Sequence, residues 1–92
     1  MTPEQRYLWV ATLTDMDAPF WLVNKCVHRM TAGADKYGDY DKKKDKRNLV
    51  IEVEKELLDA INYLLMEYEG EDEQGLLTDL IALTVKVRGL RG

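Results

Sequence analysis

Apolar residues return every three or four positions along this chain, and no stretch alternates with period two for long enough to suggest a sheet. "TPEQRYLWVATLTD" opens with a helix-start signature: Thr2 can cap, Pro3 suits the first helical position and Gln5 completes a capping box. The first helix is therefore expected over about 3–14. In the next segment Asp17 can cap a second helix with Pro19 in its first turn, and Phe20, Val23, Val27, Met30 and Ala34 make one apolar seam, predicting a helix over about 18–37. "GDYDKKKDK" has no apolar period and reads as a loop, with Asp45 as the expected cap of a long helix over about 46–69 that Gly70 ends. Asp72 is the expected cap of a last helix over about 73–88.

Four helices with short connections predict an all-α, four-helix up-and-down bundle-like domain spanning 1–92. In the last helix Leu76, Leu80, Leu83 and Val87 form one apolar stripe, and Leu77, Ile81 and Val85 form a neighbouring one. Two stripes need two partners, which predicts a homodimer or higher symmetric oligomer unless the first helix covers the second stripe. The aromatic residues Tyr7, Trp9, Phe20, Trp21, Tyr37, Tyr63 and Tyr68 are expected mostly in the core, and Trp9 or Trp21 in a cleft could stack on a base.

The candidate chemistry lies in "IEVEKELLDAINYLL" (51–65). At 100° per residue Glu52, Glu56, Asp59 and Tyr63 fall within roughly 60° of one another, while Val50, Val53, Leu57, Ile61, Leu64 and Tyr68 centre on the opposite side. Carboxylates opposite an apolar stripe describe a solvated helix face. Yet like charges at these spacings repel, no Lys or Arg is expected among them on the same stripe, and a divalent cation such as Mg²⁺ would remove the repulsion. Glu54 projects toward the apolar side, so it should be partnered or sit at the core margin. On the second helix Asn24, His28, Thr31 and Asp35 form a polar stripe. His28 reads as a hydrogen-bonded packing residue and Cys26 as a small core residue.

Composition narrows the picture further. Hydrophobic residues make up 46% and charged residues 33% of the 92, a globular balance, and the formal charge is −4, which argues against a protein built to coat a nucleic-acid duplex. Charge is uneven: "DKKKDKR" (41–47) holds five bases, and "EYEGEDE" (67–73) holds five acids and no base. The basic loop reads as a solvated connector or a phosphate contact. A single cysteine permits no intramolecular disulfide and suggests a reducing, cytoplasmic setting, and no apolar run suggests a membrane span.

The stretch "ADKYGDYD" (34–41) followed by "EVEKELLDAINYLLMEY" (52–68) resembles small phage and bacterial proteins related to the MazG-like, all-α nucleoside triphosphate pyrophosphohydrolases. The likeness covers Val27 to Tyr68. In that superfamily an E-x-x-D motif joins an E-E-x-x-E motif on the preceding helix to hold Mg²⁺, which grips a nucleotide's phosphates while water cleaves between the α and β phosphorus atoms. Glu56 and Asp59 match E-x-x-D, but "WLVNKCVHRMTAGADKYG" contains no E-E-x-x-E, so Glu52 or Asp35 would have to replace ligands. The resemblance implies a Mg²⁺-dependent nucleotide binder that hydrolyses a nucleoside triphosphate to monophosphate and pyrophosphate. Glu52, Glu56 and Asp59 would take the metal, and Asp35, Lys36, Lys43 and Arg47 would lie toward the substrate. The competing expectation is a small non-enzymatic acidic protein, such as a phage inhibitor or adaptor, that occupies a basic site on a host protein.

Overall fold

The computed structural model describes residues 1–90, and among these the fold is all-α and bundle-like, with four helices and no strand. They are α1 (Pro3–Asp15), α2 (Phe20–Tyr37), α3 (Leu49–Met66) and α4 (Glu71–Leu90). Helix α1 packs on α2, and α3 packs on α4. The chain divides into two compact units, residues 1–45 and residues 46 onward, each a helical hairpin.

In the N-terminal hairpin the expected capping box forms. Thr2 Oγ1 accepts from the Gln5 amide and Gln5 Oε1 accepts from the Thr2 amide, both at 3.2 Å. Gln5 Nε2 also donates to the Tyr40 carbonyl at 2.6 Å, and the N-terminal ammonium pairs with Asp39. These contacts hold the segment after α2 against the start of α1, so the two helices run antiparallel. Asp17 does not cap α2. It takes a left-handed conformation (φ 61) in the turn, and α2 starts after Pro19, whose carbonyl accepts from Leu22 at 2.9 Å and from Val23 at 3.2 Å. Proline offers no side-chain cap, but its fixed φ suits the entry to a helix. At the far end Gly38 adopts φ 85 and ψ 168, and its amide closes the last turn on the Ala34 carbonyl at 2.8 Å.

Val23 and Val27 are buried and Met30 and Ala34 half-buried, so the expected α2 seam packs, except at Phe20, which is 79% exposed. The aromatic expectation is corrected more broadly. Tyr7, Trp21, Tyr37, Tyr63 and Tyr68 are also exposed, and Trp9 alone of the seven is half-buried. A seam between two helices covers only a narrow stripe of each, and wide rings set off that stripe stay outside.

The C-terminal hairpin begins three residues later than its apolar pattern suggests. Asn48, and not Asp45, is the cap: its side chain accepts from the Val50 amide at 3.1 Å and the Ile51 amide at 3.3 Å. The helix closes at Met66, with the Glu67 amide bonded to the Tyr63 carbonyl at 3.2 Å, short of the expected Glu69. Helix α4 then starts at Glu71 and not after an Asp72 cap; the Gly70 amide donates to Glu73 Oε2 at 3.2 Å, the reciprocal half of a capping box.

The α3–α4 seam is a heptad on both sides. On α3 it runs Val50, Glu54, Leu57, Ile61 and Leu64; on α4 it runs Leu77, Leu80, Thr84 and Val87, and all of these are buried or half-buried. The seam therefore takes members from both predicted α4 stripes and leaves Leu76, Ile81, Leu83 and Val85 exposed. Spacings of three and four alternate, as in antiparallel helices packed at a shallow angle. Thr84 can occupy such a position because its hydroxyl donates to the Leu80 carbonyl at 2.6 Å.

Candidate functional site: the outer side of α3

Glu52, Glu56 and Asp59 lie on the side of α3 turned away from the seam, with Glu52 half-buried and the other two exposed. The seam decides this placement. Once Val50, Leu57 and Ile61 face α4, residues displaced by about half a turn must face outward. The three do not form an unrelieved ladder, because Lys55 Nζ stands 3.6 Å from Glu52 Oε1. An exposed pair of this kind is worth about 0.2–0.5 kcal/mol, enough to offset one like-charge contact on the same helix.

Among the described residues no three His, Cys, Asp or Glu side chains converge so as to hold a metal ion. Within one chain, Glu52, Glu56 and Asp59 are thus spread along the outer side of α3 and are not gathered at a point. The remaining predicted residues divide between the units. Asp35 and Lys36 are exposed at the end of α2, where Lys36 Nζ sits 5.2 Å from the centre of the Tyr37 ring. Lys43 is exposed in the following loop, its amide donating to Asp41 Oδ1 at 3.0 Å. Arg47 is exposed and directly precedes the Asn48 cap at the start of α3. His28, expected to pack, is exposed instead.

Glu54 matches its expectation. It is 7% exposed, and Arg88 Nε lies 4.0 Å from its Oε1, an ion pair beyond hydrogen-bond reach across the α3–α4 seam. Arg88 is 34 positions away, so no local pattern could have named that pair. The sequence pattern also missed an apolar groove of about 350 Å³ in the N-terminal hairpin, lined by Leu8, Trp9, Thr12 and Leu13 of α1 and by Cys26 of α2. The adjacent pairs at i, i+1, i+4 and i+5 on α1 are the only signal that could have found it.

No protein-family model, no curated protein and no solved structure matches the chain. The likeness to MazG-like proteins therefore rests on the quoted residues between 34 and 68. Among the described residues no helix is long and apolar enough to cross a membrane.

Proposed function

We propose that this chain is a small non-enzymatic interaction protein that meets a basic surface on a partner protein through the acidic outer side of α3. The observation that carries this reading is the placement of charge. Residues 46–92 hold ten carboxylates against six Lys or Arg, whereas residues 1–45 balance seven against seven, so the net charge of −4 belongs to the C-terminal hairpin. Glu56 and Asp59 stand exposed on its outer side, with Glu52 beside them. Such a surface speeds encounter with a basic partner and selects against acidic ones. The test is capture from a host lysate with wild-type protein and with Glu52→Lys, Glu56→Lys, Asp59→Lys combined. The wild type should retain a partner in the presence of a chelator and the variant should lose it. Capture indifferent to the reversal would overturn the reading.

A second reading is favoured by a separate observation: Arg47 and the neighbouring Lys46 precede α3, and Glu52 and Glu56 follow within two turns. Cations for phosphate and carboxylates for a metal then lie along one helix end, as the MazG-like resemblance implies. In that reading Glu56 and Asp59, helped by Glu52, hold Mg²⁺, with oxygens from a nucleotide or a second copy completing its shell, and Arg47 lies toward the nucleotide. Melting curves with Mg²⁺ and a panel of nucleoside triphosphates separate the two. The interaction reading expects no Mg²⁺-dependent rise and no pyrophosphate. A rise that Asp59→Asn abolishes would move the conclusion to the nucleotide.

A further inference from the structure

The α3–α4 seam leaves a second apolar line on α4. Leu76, Leu83 and Leu90 recur at intervals of seven and are 53%, 46% and 77% exposed. In an antiparallel pair, residues rotated in the same sense from the seam share one side of the hairpin. That rule places Leu49 and Val53 of α3, 42% and 47% exposed, on the side of the leucine line. A stripe of period seven suits another helix laid alongside at a shallow angle.

We infer that this side is the interface of a two-fold symmetric dimer, in which α4 of a second copy lies antiparallel along the Leu76, Leu83 and Leu90 line. The charge distribution within the hairpin selects the occupant. Glu67, Glu71, Asp72 and Glu73 crowd its closed end, whereas α4 carries no acid after Asp79 and bears Lys86 and Arg88 toward its open end. A second copy turned end over end sets each acidic end against a basic one, and two-fold symmetry makes that match twice. Parallel pairing would set acid on acid. Register agrees with charge: with Leu76 of one copy beside Leu83 of the other, antiparallel counting brings Glu73 level with Lys86 of the second copy and Asp72 within one residue of it. Helix α4 spans 20 residues, about 30 Å, and two helices are about 20 Å wide, so the face is on the order of 600 Å², comparable with the roughly 800 Å² per partner of a specific interface.

Sedimentation equilibrium of the full chain tests this, with circular dichroism confirming helix content. Wild type should be a dimer. Leu83→Glu should raise the dissociation constant by about a hundredfold or more, since it places charge in the centre of the apolar line. Asp72→Lys and Lys86→Glu should each weaken the dimer by roughly tenfold or less, and the two together should restore it. Should Leu83→Glu lose helix content, Leu76→Gln, at a more exposed position, carries the same reading. A wild type that stays monomeric, meaning that something other than a second copy occupies the face, overturns the inference. So does a dimer indifferent to the leucine substitution or not restored by the charge exchange. None of these outcomes depends on the outer side of α3.

Discussion

Replacing Glu54 by Leu should stabilise the C-terminal hairpin. The side chain is 7% exposed between α3 and α4, so the folded state has given up most of the carboxylate's hydration. One of its oxygens, Oε1, is buried without a hydrogen bond, and what Arg88 returns to that oxygen is small: the nitrogen is 4.0 Å away and the Arg88 side chain is 70% exposed, placing it among ion pairs worth less than about 1 kcal/mol. A leucine of similar volume, buried at the same seam position, contributes roughly 1.5–3 kcal/mol relative to exposure. The net expectation is a gain of about 1–2 kcal/mol, in the lower half of the roughly 1–4 kcal/mol found when buried ionic groups give way to apolar ones. For a chain of this size that is a rise of roughly 5–10 °C in melting temperature. Thermal circular dichroism of Glu54→Leu, Arg88→Ala and the double variant measures it. Arg88→Ala alone should cost less than about 1 kcal/mol, and nothing once Glu54 is gone, because the two substitutions remove one interaction. A melting temperature lowered by Glu54→Leu would refute the reasoning, since the carboxylate's contacts would then outweigh the cost of burying it.

Two further substitutions test the helix ends. Gly38→Ala should cost about 1–2 kcal/mol, because φ 85 with ψ 168 is a backbone state reserved for glycine; no atom lies within 4 Å of an added Cβ, so an unchanged melting temperature would show that the turn re-forms another way. Asn48→Ala should cost about 1 kcal/mol by releasing the Val50 and Ile51 amides, and urea titration with an unchanged midpoint would remove Asn48 from the cap.

Periodicity carried the helices well, because their apolar returns are regular and Gly or Pro interrupts them rarely. It carried their ends poorly wherever several capping side chains compete within a few residues. Asp45 and Asn48 both precede the apolar run of α3, and only the geometry of the turn decides between them. The same limit explains α4, whose two candidate stripes each looked continuous. The true seam threads between them through Leu77, Leu80, Thr84 and Val87, and a threonine in it is tolerable only because its hydroxyl bonds to its own helix. Exposure of the aromatics was illegible for a related reason: hydrophobicity says that a ring gains from burial, not that a two-helix seam has room for it. On α3 the sequence did place the three carboxylates on one side, but Lys55 reaching Glu52 depends on a rotamer that spacing alone does not settle.

The pairing of α1 with α2 and of α3 with α4 has a kinetic side. Each seam joins segments that are near neighbours along the chain, separated by turns of a few residues, so little loop entropy must be surrendered before the first stabilising contacts form. Helical proteins built from such local contacts refold in microseconds to milliseconds. Each hairpin can therefore zip from its own turn as soon as both of its arms exist.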